Sequence, residues 1–222
     1  MPARSSVGRT LTALLSGRLV AGPRIEDAVR VAGEMVADGR RVALEHVPAP
    51  GDDAAREFGV LIGEIHAAGL AEDCELTLPA DQLGLAVVVA GRAEPPPGAG
   101  VVVPAGDPDS EARCRARSGG RVRLTEGRGA AADLAFVRCL NVLMAGDGHP
   151  EIAASDRRLI AIAGERAAWN GRTPDSWEHV MPYGVQTDEQ RRLVAGGYAV
   201  RVAVPSGAGA AALVAARLGG RS

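Results

Sequence analysis

Residues 177–207 read WEHVMPYGVQTDEQRRLVAGGYAVRVAVPSG. The stretch divides into three parts. Its first part, with Ser176 just before it, reads as a strand over 176–184 that ends at Tyr183-Gly184. Thr187-Asp188-Glu189-Gln190 fits a capping box, in which the threonine hydroxyl accepts from a backbone N–H and the glutamine reaches back. The helix it opens stops at Gly196-Gly197, and residues 199–205 form a second β-rich apolar run. A strand, a helix and a strand in succession imply two parallel strands joined by a helical crossover.

The same alternation continues outward. Upstream, Ile25, Ala28, Val29, Ala32 and Val36 keep helical spacing up to Gly39, and Val42 to Val47 follow as a strand. Phe58, Leu61, Ile62 and Ile65 mark another helix. Apolar runs at 74–79, 86–91 and 100–105 come next, then the alternating Arg121-Val122-Arg123-Leu124-Thr125, a helix over 131–145 and a strand at 150–155. A helix over 156–169 has Asp156 as its N-cap, and residues 208–218 close the chain as a helix. Eight strands are therefore expected, near 42–47, 74–79, 86–91, 100–105, 121–126, 150–155, 177–183 and 199–204. The expected fold class is α/β, a (βα)8 TIM-like barrel of parallel strands in a single domain, 1–222, with 1–40 as a helical lead-in.

Such barrels usually need about 250 residues. The shortfall is local. Only Ala80 to Leu85 separate the second and third strands, and a proline-rich segment, Gly91 to Ala99, separates the third and fourth. A parallel connection normally takes a dozen residues or more. The barrel is thus expected to lack the helices after its second and third strands. That would leave Leu76, Leu78 and Val87 to Val89 on a bare wall, so a homodimer through the shortened wall is expected.

Composition excludes several classes of function. The net charge is −2, which argues against a nucleic-acid or anionic-membrane partner. No apolar run reaches the roughly 20 residues of a membrane span. There is no lysine, so none can act as base, Schiff-base former or anion ligand. Cys74, Cys114 and Cys139 are few, odd in number and far apart, which fits buried thiols in a reducing compartment better than a disulfide framework. His46, His66, His149 and His179 do not fall at metal-ligand spacing. The cytoplasm is the expected compartment. Aromatic residues are 3% of the chain, so the core has to be built from Ala, Val, Leu and Ile.

The candidate polar residues sit at strand ends, where barrel enzymes place their chemistry: Glu45, His46, Arg123, Glu126, Asp156 and Glu178. Glu45 and His46 are neighbours on one strand and must point to opposite faces, so they do not act as a pair. Ser206 to Leu213 matches G-x-G-x-x-A, but the chain offers no following strand with its acidic residue, so a dinucleotide reading is not supported. No Ser-His-Asp order, P-loop or metal motif is apparent.

Read in order, the segments resemble proline dehydrogenase, the FAD-dependent barrel that oxidises L-proline to pyrroline-5-carboxylate. GRVRLTEGRGAAADLAFVRCLNVLMA is similar to that family's R-L-V-K-G-A-Y strand and following helix, and IAASDRRLIAIA to its A-T-H-D-x-x-L-I segment. The opening stretch is similar to its F-E-F-Q-M-L-Y-G and R-V-Y-V-P-Y-G runs. The resemblance implies FAD as cofactor, with Arg123 and Gly127 at flavin-binding positions and Arg217 at a position that holds the substrate carboxylate. It also exposes departures. Glu126 stands for the family's lysine and Gly129 for its tyrosine; Leu213 and Ala216 stand where the last helix has a tyrosine and the first of two arginines. Pro104-Ala105-Gly106 replaces Q-A-Y, Ala154-Ser155 replaces T-H, and Val180 replaces a glutamine. No residue is therefore assigned a catalytic role, and no metal is expected. Proline oxidation is expected to be weak or lost. The alternatives are a non-catalytic binding or assembly protein on the same barrel, or an unrelated barrel that holds a small amino acid or small anion through Arg123 and Arg217.

Overall fold

A computed structural model describes residues 18–78 and 100–219. In chain order its elements are α1 (Ile25–Ala37), β1 (Arg41–His46), α2 (Ala54–Ala67), β2 (Cys74–Leu76), β3 (Val101–Pro104), α3 (Ser110–Arg117), β4 (Arg121–Thr125), α4 (Ala130–Ala145), β5 (His149–Ala153), α5 (Arg157–Trp169), β6 (Glu178–Pro182), α6 (Thr187–Ala195), β7 (Val200–Ser206) and α7 (Ala210–Gly219). The strands are parallel and run in the order β2-β1-β7-β6-β5-β4-β3. Sequential neighbours with β1 beside β7 are the strand order of a βα barrel, so the α/β class and TIM-like type expected from the alternation hold.

Local chemistry explains the boundaries. Gly39 takes φ +76° and donates to Val36 O at 2.9 Å, which closes α1 in a left-handed cap that a side chain would strain. Asp53 accepts from the Arg56 amide at 3.1 Å to open α2. Asp156 does the same for α5 through the Arg158 amide at 2.7 Å, as expected. Gly197, at φ +83°, ends α6.

The structure departs from the sequence reading in two places. The strand expected at 74–79 pairs only over Cys74–Leu76, with one further bond from Thr77 N to Leu44 O at 2.9 Å. An unexpected helix, α3, fills 110–117. The strand expected at 86–91 and the connections on either side of it lie at 79–99, outside the described residues.

The chain forms two compact units that are discontinuous in sequence. In the first, which takes in α1 to β2, residues 182–187 and residues 202 onward, Val42 and Leu44 of β1 and Val202 and Val204 of β7 pack on Ala28, Val31, Leu61 and Ile65 of the helices. In the second, residues 96–181 and 188–201, Val103, Val122, Leu124, Ile152 and Val200 pack on Phe136, Leu140, Leu143, Leu159 and Ile160. In each strand the alternate residue faces away from the helices, as the two-residue period requires. Apart from Phe58, Phe136 and Trp177 the largest buried side chains are aliphatic or Met, with one histidine.

Candidate active site and the charged sheet face

On the second unit, the sheet face turned away from the helices carries a row of buried ions. Arg123 is paired with Glu151, Nε–Oε2 2.7 Å and Nη2–Oε2 2.6 Å. Arg121 holds the other oxygen, with Nε at 3.0 Å and Nη2 closer still. One strand over, Arg201 clasps Glu178 with Nε–Oε2 2.6 Å and Nη2–Oε1 3.1 Å, and His149 lies 3.3 Å from the same carboxylate. Register makes this row. Arg123 faces Glu151 across β4 and β5, and Glu151 faces Glu178 across β5 and β6. Two carboxylates side by side would repel; Glu178 is neutralised by the bidentate Arg201, and Glu151 by Arg121 and Arg123, one on each oxygen. Glu151 and Glu178 are 3% and 1% exposed, so removing either partner would strand a buried charge.

Arg123 therefore stands mid-strand, already engaged by Glu151. The C-terminal rim above it is acidic. Glu126 accepts from the Ser155 and Asp156 amides at 3.0 and 3.2 Å and from the Ser155 hydroxyl at 2.5 Å. These bonds tie the loop after β4 to the N-terminus of α5, where a carboxylate is favoured by the helix dipole. Asp156 beside it is held below the usual carboxylate range by hydrogen bonds from Arg158. Gly127 is a close-packing position: a Cβ there would lie 2.5 Å from Ala132 Cβ and 3.2 Å from Gly106 N. Its glycine identity is thus accounted for by the contact between two βα loops.

The third carried-over residue, Arg217, lies on the first unit. Its Nη1 meets Glu45 Oε2 at 2.5 Å, and Glu45 is the less exposed of the two. His46 turns the opposite way, as expected for neighbours on a strand, and is 1% exposed. Its Nδ1 lies 3.2 Å from Ser206 Oγ and its Nε2 2.9 Å from Glu57 Oε2. Sequence reasoning missed this link, which joins residues 160 positions apart. Ser206 is fully buried, and the Gly207 N–H beside it is taken by Gly22 O, so the arrangement is a clasp between β1, β7 and α2 with no accessible nucleophile.

No family profile and no curated protein matches this chain. Solved structures do. Proline utilization A from Bdellovibrio bacteriovorus superposes with a TM-score of 0.68 over 91% of this chain at 13% identity. Proline utilization A from Corynebacterium freiburgense gives 0.65 over 94% at 15% identity, and a variant from Bradyrhizobium japonicum 0.64 over 91% at 17%. The fold is proline dehydrogenase-like. The likeness is one of architecture, since hydrophobic pattern maintains a fold at identities where site chemistry is lost. The chain spans about a third of the length of these proteins, 32%, 31% and 30% respectively.

Among the described residues, the two charged groups nearest the strand end where the resemblance puts a flavin are engaged within the chain, Arg123 by Glu151 and Glu126 by Ser155 and the Asp156 amide. Among the described residues, no group of three metal-binding side chains exists, and no helix is long and apolar enough to cross a membrane.

Proposed function

We propose that this chain is a proline dehydrogenase-like protein in which oxidation of L-proline to pyrroline-5-carboxylate is weak or lost, and that it serves as a non-catalytic binding or assembly protein on that fold. One observation carries the reading. Both arginines carried over by resemblance are ion-paired within the chain, Arg123 with Glu151 and Arg217 with Glu45. A substrate carboxylate would have to displace Glu45, and Ala216 offers it no second guanidinium. Losing one hydrogen bond to a charged group lowers affinity by about 1.5–3 kcal/mol, or one to two decades. The Arg123 guanidinium, engaged by Glu151, is likewise not offered to FAD. Any ligand retained is a small amino acid or small anion reaching Arg217, whose side chain is 54% exposed.

The test is to purify the protein, incubate it with excess FAD, remove free flavin, and follow reduction of an artificial dye with millimolar L-proline. The expected outcome is no retained flavin absorbance and no proline-dependent reduction. A turnover of about one per second, ordinary for a modest enzyme, overturns the reading.

A further inference from the structure

The residues that close α5, Trp169-Asn170-Gly171-Arg172, form a tight turn on the second unit. Gly171 stands at φ +66° and donates to Ala168 O at 3.1 Å, and the Arg172 amide donates to Ala167 O at 3.0 Å. These are the two bonds of a Schellman cap. Asn170 is the C-cap residue, and its Nδ2 donates to Arg166 O at 2.8 Å. Asn170 and Gly171 are both exposed. The chain has two asparagines, and this is the one followed by glycine. The other, Asn141, lies inside α4 with the β-branched Val142 after it. We propose that Asn170-Gly171 is a site of spontaneous deamidation that reacts when the α5 cap opens, and that the modification loosens the end of α4 through Arg172. The Gly171 amide nitrogen bonds to Asn170 Cγ, and the Cγ–Nδ2 bond breaks. The side-chain nitrogen leaves as ammonia, taking the amide proton with it. The cyclic imide then takes up one water, one of its C–N bonds breaks, and aspartate or isoaspartate remains at 170. No atom is oxidised or reduced. Glycine at the second position has no side chain to obstruct its nitrogen.

The cap sets the pace. While it is closed, Asn170 Nδ2 is held by Arg166 O and the Gly171 nitrogen is turned to Ala168 O, so the reacting atoms are kept apart. Both bonds belong to the last turn of α5, an exposed helix end that opens at little cost in free energy. Opening frees both groups at once. Closing again after reaction is impaired. A carboxylate at 170 cannot donate to Arg166 O, and it places negative charge at the negative end of the helix. Isoaspartate also lengthens the backbone just before Gly171, which breaks the spacing of the two cap bonds. The next residue is Arg172, whose guanidinium holds Leu143 O, Met144 O, Gly146 O and Gly148 O at the end of α4. A displaced Arg172 backbone withdraws those donors, so a change at the end of one helix is felt at the end of its neighbour.

The experiment ages the full chain in mildly alkaline buffer, folded and in urea, and maps the products by peptide mass and isoaspartate-specific fragmentation. In the folded chain the expected product is aspartate and isoaspartate at 170, with Asn141 intact. It should form about 10–100-fold more slowly than in urea, the factor set by a low-cost local opening. The aged fraction should melt about 2–8 °C lower, the shift for losing a helix cap in a domain of this size, and its amides at 143–149 should exchange faster. Asn170→Ser should show neither the product nor any change of melting on ageing. An intact Asn170 in the folded chain after about a hundred times the half-life seen in urea overturns the proposal. Equal rates in the folded and urea-treated chains overturn the control by the cap. A modified residue 170 that leaves melting and exchange at 143–149 unchanged overturns the link through Arg172.

Discussion

At the scale of single residues, His179 shows how burial sets a charge state. It is 2% exposed on β6, with its ring 4.4 Å from Trp177 and 5.8 Å from Tyr198. Desolvation outweighs the attraction of Glu189 and brings its pKa down to about 4 from 6.5. Between those two values the unfolded chain binds a proton that the native state refuses. Stability is therefore complete above pH 6.5 and declines as the pH falls toward 4, by up to about 3 kcal/mol. Urea midpoints measured at pH 7 and pH 5 should differ in that direction, and His179→Phe should flatten the difference. The strand that carries His179 was readable from the sequence, but the burial of its ring was not. The pairing of Arg123 with Glu151, by contrast, was not legible, because it depends on the register of strands 28 residues apart in sequence. The same limit hid the His46–Ser206 contact. Residue type and strand end were readable; the partner across the sheet was not.

At the scale of elements, the clearest case of long-range capping is the end of α4. Its last carbonyls have no partner within the helix. Arg172, 28 residues on from Met144, supplies partners there: Nε donates to Met144 O at 3.0 Å, Nη2 to Leu143 O at 3.1 Å and to Gly146 O, and Nη1 to Gly148 O at 3.0 Å and Ser176 O at 3.1 Å. Desolvation lowers its pKa, yet a guanidinium stays charged, so the bonds are charge-assisted. Arg172→Ala should destabilise the protein by about 2–4 kcal/mol in denaturant unfolding. Amide exchange should speed up at 143–149, and Arg172→Lys should restore little of it. The element that sequence reasoning overlooked, α3, explains itself in the same terms. SEARCRAR holds no aliphatic stripe, and without apolar periodicity a helix gives no signal. The longer helices, α1, α2, α4 and α5, were legible because Val, Leu, Ile and Phe recur on one face of each.

At the scale of the whole molecule, strand order and class followed from the alternation of elements, and the likeness to proline utilization A structures agrees with it. Association is the open prediction. Leu76 and Leu78 are half-buried, and Leu76 packs only in part against its own core. A second copy covering that wall would remove this surface from water, at roughly 25 cal/mol per Å² before the costs of association. Light scattering at micromolar concentration should give twice the mass of the chain, and Leu76→Glu should return it to monomer. A monomeric mass for the unaltered protein excludes the dimer.

The two compact units interleave along the chain, and this has a consequence for biosynthesis. The core of the first unit draws Ala28, Val42 and Leu61 from early residues and Val202 and Val204 from late ones. A ribosome delivers these in order, at about 5–20 residues per second. The segment from α1 to α2 emerges before the β7 residues that complete its core. The second unit, whose members end at Arg201, is complete sooner. The apolar face of Ala28, Val42 and Leu61 thus stays uncovered while the residues between Leu61 and Val202 are being made.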